Sequence, residues 1–428
     1  MKKRFLSPEI QNHLWILIAT AFAAPFSAVM VLLTKRLVDL ETAGIMQYAY
    51  AVAFNFGVLI VFSVSQIQVV DVREEYSFKT YLNTRVITAA LTSVVFVVFL
   101  FITGQSGLQL SVLLLYYLIV LVDFYFNVYT IDFHQKGMIR VTGRMRASGF
   151  AAILLSYISI TYFTKNVVLA MSVAVMAILL SYLIWVWCYR KRYAAPRTKV
   201  DFSAIKRLLI ASAPVFVLTF ITTFLATSPN IFLGEFTTME TVAIFAILLT
   251  PGALFLVFLH AVLLGDPLPK LSEAFASGDL KKFSRFLHIL LLLAVAGAVP
   301  FLTVVYFVGI PFLSWLYNED LSSYLVQLMV VCGGTICYAL TPIIGMTLII
   351  MKRQRAYMYS SIAVGATIGP LVAVLVWLYG INGAMYSYFL VNAPLSLVLY
   401  TIFRKALRTE RLKKEIKNPV EVSTETQY

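Results

Sequence analysis

The stretch from Tyr189 to Lys206, YRKRYAAPRTKVDFSAIK, decides how this chain is read. It is basic, contains a proline, and separates two long apolar runs, 167–188 before it and 208–233 after it. Lys and Arg at such density are too costly for hydrocarbon, so the stretch reads as a water-exposed linker between membrane spans. Working outward, five more runs precede it, at about 14–33, 45–70, 86–104, 110–131 and 147–163. Five more follow, at about 241–264, 286–309, 324–350, 357–379 and 381–403. These lengths are close to the ~20 residues that cross a bilayer as a helix. They are too long, and alternate too little, for the strands of a barrel.

The expected architecture is therefore an all-α integral membrane protein of about 12 transmembrane helices in two six-helix lobes. Residues 1–195 form the first lobe, 196–207 the basic cytoplasmic linker and 208–403 the second lobe; 404–428 form a charged cytoplasmic tail, disordered at its end. Composition agrees: 61% of residues are hydrophobic, 13% are charged and the mean hydropathy is +0.87. A soluble domain carries roughly 25% charged residues. Met1-Lys2-Lys3-Arg4 precedes an apolar run longer than a signal-peptide core, which reads as a retained first span.

Charge supplies the orientation. With the N-terminus inside, all but three of the 34 Lys and Arg residues fall on cytoplasmic segments, the exceptions being Lys35, Arg36 and Lys165. A miscounted span would invert this alternation, so both termini are expected in the cytoplasm. The net charge of +14 is then an address and an attraction to anionic inner-leaflet lipid, with no nucleic-acid partner implied. Trp15, Trp185 and Trp187 fall near inner span ends, and Trp315 and Trp377 near outer ends, as interfacial anchors. Cys188, Cys332 and Cys337 read as buried small hydrophobes without a disulfide framework.

A faint repeat supports two halves. Leu37-Val38-Asp39-Leu40-Glu41-Thr42-Ala43-Gly44-Ile45 follows the first run, and Phe236-Thr237-Thr238-Met239-Glu240-Thr241-Val242-Ala243-Ile244 follows the seventh. Each is a short outer loop leading through Glu-Thr into the next helix. Repeats of even span number are parallel, and transporters built this way place the substrate path between the halves.

Catalytic chemistry is poorly supplied. His13, His134, His260 and His288 have no ligand spacing, so no metal site is expected. No phosphate-binding glycine loop, nucleophile elbow or paired-carboxylate motif occurs, and the loops are too short for a nucleotide-binding domain. No catalytic residue and no cofactor is assigned; coupling to H+ or Na+ is left open.

The informative groups are polar side chains inside spans, which are costly in lipid and point to function. Asp123 stands well inside the fourth span, in a helical row with Tyr116, Val120, Asn127, Thr130 and His134. Either it is a cation or proton site on a wet cavity, or it is a buried carboxylate paired to a neighbouring helix or to Arg140 or Arg144. The second span carries Asn55 and Gln66, the seventh Thr219, Thr223 and Asn230 beside Pro229, and the twelfth Asn392 near Pro394. Each alone reads as helix–helix glue; four such faces, two from each half, suit a central polar path. Prolines at 25, 214, 229, 251, 300, 342, 370 and 394 provide kinks, static or mobile. At inner span ends, Arg85, Arg144, Arg146, Arg285 and Arg355 either touch lipid phosphates or ring a vestibule that captures a pyrophosphate.

Several of these stretches resemble the polysaccharide and lipid-linked oligosaccharide flippases of the multidrug/oligosaccharidyl-lipid/polysaccharide (MOP) exporter superfamily. The resemblance rests on Thr34 to Gly44, Ala213-Pro214, Asn230 to Phe236, Glu240-Val242-Ala243-Ala246, Pro269 to Ser272, Gly278 to Phe283 and Gly380 to Ala384. It implies a monomer that opens alternately to either side of a plasma (inner) membrane, in a prokaryote. It further implies an undecaprenyl-pyrophosphate-linked glycan as cargo, head group in a cationic lumen, with a polymerase and glycosyltransferases of the same pathway as partners. Relatives often carry a charge in the seventh span where this chain has Ser228, Pro229 and Asn230. The inner-end arginines then become the better phosphate contacts. An ion-coupled exporter of cationic drugs, with the same fold, is the alternative; a membrane glycan polymerase or ligase lacks the large outer loop it would need.

Overall fold

A computed structural model describes residues 8–23, 25–71, 74–189, 201–263 and 267–417. The described chain is helical throughout, with no strand. In hydrocarbon a backbone has no water to bond, so long apolar runs satisfy their own N–H and C=O groups as helices. In chain order these are α1 (Pro8–Ala23), α2 (Phe26–Leu37), α3 (Leu40–Val61), α4 (Val64–Val70), α5 (Phe78–Thr103) and α6 (Gly107–Gln135). Then come α7 (Ile139–Thr164), α8 (Val167–Cys188), α9 (Phe202–Phe236), α10 (Met239–Leu263), α11 (Pro267–Ala276) and α12 (Leu280–Val304). A π-turn, Val305–Gly309, joins α12 to α13 (Ile310–Tyr317), and α14 (Leu325–Ile350) and α15 (Gln354–Lys417) complete the chain.

Side chains set the starts. Asp39, Ser77, Asn166, Asp201 and Asp279 each accept a backbone N–H of the following first turn, from Thr42, Thr80, Leu169, Ala204 and Lys282. Each such cap satisfies one of the donors a helix start leaves open. The two repeated loops share this device: Asp39 caps α3, and at the equivalent place Thr238 Oγ1 accepts Thr241 N at 3.4 Å.

Ten described helices are long and apolar enough to cross a membrane, and α1 with α2, bent by 50°, makes an eleventh span. The bend falls at Pro25, which lacks the N–H that would continue the ladder. One of the ten, within α15, runs over 59 residues. At 1.5 Å per residue that would reach roughly 90 Å, far beyond one bilayer. It turns back at Gly380, whose φ of 55° and ψ of −128° are not helical. A Cβ built on Gly383 would lie 1.9 Å from the Leu375 carbonyl oxygen, so the two arms leave the turn in close contact. Counted as two spans, α15 restores the twelve expected from sequence.

One expectation changes. The run 45–70 is not one helix, because Phe62 and Ser63 adopt positive φ (47° and 53°) and divide it into α3 and α4. At the start of the tail, α15 continues through residues 404–417. Residues 418–428, and residues 190–200 at the heart of the linker, lie outside the described residues, as do Met1 to Arg4. Lipid-facing surfaces are apolar, as at Phe101 (83% exposed) and Phe163 (81%). Trp315 and Trp377 share that exposure, whereas Trp185 turns inward and donates to Ser148 Oγ at 2.9 Å. Cys188 is exposed and only Cys332 is fully buried, so one cysteine departs from the buried reading. It closes α8, where the chain leaves the apolar run.

Candidate functional site

The polar faces of the second and seventh spans meet along an antiparallel seam between α3–α4 and α9. Near the α2–α3 turn the backbones nearly touch: a Cβ on Gly44 would lie 1.7 Å from the Met239 carbonyl oxygen. A Cβ on Gly234 would lie 2.3 Å from the Tyr48 ring, whose hydroxyl donates to Glu235. Further along, Asn55 Nδ2 donates to Thr227 Oγ1 at 2.7 Å, and to its own helix at the Ala51 carbonyl. At the far end Ser63 Oγ donates to Thr219 Oγ1 at 3.3 Å, and the Phe62 and Phe216 rings stack at 4.1 Å. Asn55 and the α9 stripe are therefore in direct contact here. Thr223 accepts Thr227 Oγ1 through its carbonyl at 2.9 Å. Asn55 Oδ1 and Asn230 Oδ1 are buried without a partner among the described residues, so the seam keeps acceptor capacity.

Two of the three cations that broke the charge pattern, Lys35 and Arg36, lie at the same end of the bundle as Gly44. Lys35 Nζ pairs with Glu319 at 2.6 Å. Arg36 Nε donates to the Leu316 carbonyl at 2.7 Å and its guanidinium also reaches the Trp315 carbonyl, closing the C-terminal end of α13. Both bonds join the first half of the sequence to the second. Sequence reasoning set these residues aside as exceptions, and the exception was the signal.

Arg85 is 1% exposed and turned inward. Its guanidinium donates to the Ile60 carbonyl at 3.2 Å and to Ser65 Oγ at 2.8 Å. Thr88 Oγ1 reaches the same carbonyl at 2.7 Å. The break at Phe62–Ser63 leaves that carbonyl without its helical partner, and these two side chains supply one. Ser65 Oγ in turn donates to Asn127 Oδ1 at 2.8 Å, so α4, α5 and α6 share one network. Gln66 sits on α4, exposed, so the break removes it from the face it would share with Asn55 in one unbroken helix. Just beyond α4, burial pushes the Asp71 carboxyl up, but hydrogen bonds from Tyr81 and the Glu75 and Tyr76 amides outweigh it and hold it below its ordinary value.

Asp123, half-buried on α6, accepts the Tyr182 hydroxyl at 2.7 Å. Gly149 makes room for Tyr182, since a Cβ there would meet the ring at 2.4 Å. Arg146 stands within electrostatic reach of the Tyr182 hydroxyl, while Arg144 is exposed and lies 5.0 Å over the Trp15 ring. Arg285 and Arg355 are exposed on α12 and α15. Asn392 is buried and spends its amide on the Tyr388 carbonyl at 2.7 Å. The named residues thus divide into the α3–α9 seam, the Arg85–Ser65–Asn127 network, the Asp123–Tyr182 pair and cations at helix ends, with Gln66 and Asn392 apart from all four. Among the described residues no group of three His, Cys, Asp or Glu side chains is placed to hold a metal.

Comparison with known proteins gives this geometry a family. The family model described as "Polysaccharide biosynthesis protein" matches residues 10–264. Among solved structures, an Asp-to-Asn mutant of the Vibrio cholerae MATE transporter VcmN superposes with a TM-score of 0.61 at 14% identity, covering 94% of this chain and 96% of that one. An inward-facing multidrug resistance MATE family transporter of the MOP superfamily gives 0.58 at 11% identity, over 96% and 97%. An outward-facing one gives 0.56 at 12%, over 94% and 96%. At these identities the likeness shows the fold alone. No curated protein sequence matches the chain significantly. The chain belongs to the polysaccharide biosynthesis protein family, and is a membrane transporter of the MOP superfamily rather than an enzyme.

Proposed function

We propose that this transporter is a flippase that carries a lipid-linked oligosaccharide, of the undecaprenyl-pyrophosphate type, across a prokaryotic plasma membrane by alternating access. The single observation that carries the reading is the polysaccharide biosynthesis family match over residues 10–264. The geometry is compatible with it: the ion pair and the arginine hydrogen bonds between the halves lie at one end, at Lys35 and Arg36, where they can exchange with water. The glycan would pass between the halves while its lipid tail stays in the bilayer. Arg144, Arg146, Arg285 and Arg355 remain the candidate phosphate contacts. Arg85 would reach a head group only by leaving the Ile60 carbonyl. A polymerase and glycosyltransferases of the same pathway are the proposed partners, and H+ or Na+ the candidate coupling ions.

The second reading, an ion-coupled exporter of cationic drugs, draws on the half-buried Asp123 carboxylate. Its engagement by the Tyr182 hydroxyl, with Arg146 within electrostatic reach of that hydroxyl, makes it a poor seat for a bulky cation. Gene deletion separates the two. The flippase reading expects loss of surface polysaccharide and accumulation of its lipid-linked unit in the inner leaflet. Normal glycan display, in a strain with no second flippase, together with increased drug accumulation, would instead establish the exporter.

A further inference from the structure

Away from the α3–α9 seam, a cavity of ≈ 690 Å³ opens between α12 and the second arm of α15. Ser284 and His288 form one wall; Tyr400, Phe403, Arg404, Lys405, Leu407, Arg408 and Arg411 form the other. Among the described residues, none of the first half lines it. From this cavity we infer a binding site for a phosphorylated lipid head group, separate from the path between the halves.

Its level in the membrane is fixed by sequence. The apolar run of α12 starts at about residue 286 and that of α15 ends at about 403, so both helices pass from hydrocarbon to water beside the cavity. The lower wall is apolar, with Phe403 and Leu407 buried, and the rim is cationic. Arg404, Arg408 and Arg411 recur at helical spacing along one stripe, with Lys405 beside it. All four are exposed. Interfacial cations commonly just snorkel to the surface, but a solvated stripe of that kind has no need of a concavity or of counter-charge exclusion. Here the carboxylate on the same stretch, Glu410, is directed away to Arg353 at 3.5 Å. Among the described residues the cavity lining contains no acidic side chain.

The neutral wall is held in place. His288 Nδ1 lies 2.6 Å from the Ser284 carbonyl, which can only accept, so Nδ1 carries a proton. Nε2 then faces the Tyr400 hydroxyl at 3.1 Å. A phosphate ester suits this arrangement: its oxygens accept charge-assisted bonds from guanidinium groups, bidentate where geometry allows, while its first carbons lie against Phe403 and Leu407. The shared chemistry is a lipid-borne phosphate or diphosphate. Membrane phospholipid and polyprenyl carrier are two sources of it.

The test uses the full chain in detergent micelles, with native mass spectrometry reading bound lipid. The probes are dioleoyl phosphatidylglycerol, a polyprenyl diphosphate, inorganic pyrophosphate and, as a zwitterionic control, dioleoyl phosphatidylcholine. At least one phosphorylated lipid is expected to bind better than phosphatidylcholine, and R404Q/R408Q to weaken it by about ten-fold or more. R404K/R408K should retain most of the binding, and K270Q, which removes an exposed charge elsewhere, all of it. Preference for phosphatidylglycerol assigns the site to membrane lipid; preference for the diphosphate assigns it to the carrier. Equal binding by wild type and R404Q/R408Q overturns the inference, as does uptake of pyrophosphate with neither lipid retained. If R404Q/R408Q does not fold, R408Q/R411Q makes the same comparison. Glycan export is read separately, so failure here leaves the flippase reading to its own assay.

Discussion

Gly44→Ala tests whether the α3–α10 contact holds the two halves together at the α2–α3 end. The added Cβ would stand 1.7 Å from the Met239 carbonyl oxygen, where ordinary contact begins at 3.4 Å. The obstacle is backbone, so no rotamer change relieves it, and the helices must part by about 1.7 Å. Overpacking of this kind costs ~1–3 kcal/mol. A two-state transporter open at this end escapes that cost. The substitution should therefore move the equilibrium toward the open state by roughly 5- to 150-fold. Helix propensity favours Ala over Gly by about 1 kcal/mol at any interior helix position. Gly297→Ala, whose Cβ meets nothing within 4 Å, carries the same gain and serves as control. Spin labels at Glu41 and Glu240, both exposed beside the contact, report the separation by pulsed electron resonance. Gly44→Ala should add a longer-distance population and Gly297→Ala should not. An unchanged distribution with wild-type transport would refute the proposal that this contact is a gate.

Four further outcomes are expected. Asp123→Asn keeps an oxygen to accept the Tyr182 hydroxyl, so melting in detergent should change by only about 1 kcal/mol and glycan export should persist; loss of drug efflux in this variant, read by drug accumulation, would favour the drug exporter. Arg85→Met and Thr88→Val each leave the Ile60 carbonyl one donor, but together they orphan it. The double variant should lose about 1–3 kcal/mol beyond the sum of the singles, and simple additivity would mean that water has entered the break. Gly380→Ala places a Cβ at φ 55°, ψ −128°, and should cost about 1–3 kcal/mol of stability; an unchanged melting temperature would count against the reversal there. Asp71 has a depressed folded-state pKa, so its contribution is complete above the unfolded value of about 3.9 and lost as pH falls through the folded one. Hydrogen exchange of residues 71–81 should rise in acid in the wild type, and Asp71→Asn should remove that pH dependence.

How much of this was legible in the sequence depends on what set each feature. Span lengths follow from bilayer thickness, so apolar runs near ~20 residues located nearly every helix. The bend at Pro25 and the reversal at Gly380 sit at residues that announce themselves. The break at Phe62–Ser63 does not, because neither residue favours positive φ. Its supports come from elsewhere in the chain: Phe216 stacked on Phe62, and Arg85 with Thr88 on the freed carbonyl. Arg85 shows the same limit. An arginine at an inner span end reads alike whether it snorkels to lipid or turns inward to cap another helix. Asn55 and Thr219 were legible as polar faces, but their partners Thr227 and Ser63 could be assigned only after the helices were placed side by side. Likewise, His288 looked idle among scattered histidines because Tyr400, 112 residues away in sequence, gives it its setting.

The chemistry along the seam differs from end to end, and that difference bears on how it opens. At the α2–α3 end the bonds are polar and partly wet: the Lys35 and Glu319 side chains are 14% and 29% exposed. Partly exposed ion pairs contribute at most ~1 kcal/mol, since water replaces each partner when they separate. Arg36 and its two carbonyls can be rehydrated in the same way. Deeper in the bundle the contacts are the Asn55–Thr227 bond and the Phe62–Phe216 stack. In a low-dielectric setting an unpaired amide costs more than at the surface. Separation at the α2–α3 end therefore exchanges bonds for water at little cost, whereas separation in the middle leaves one of the two Asn55 amide N–H donors unpaired unless a polar cargo takes the place of Thr227. A sugar head group brings hydroxyls that can do so, and a purely apolar cation does not. The α2–α3 end is thus suited to be the gate, and the middle of the seam to favour opening when a hydrogen-bonding cargo is present.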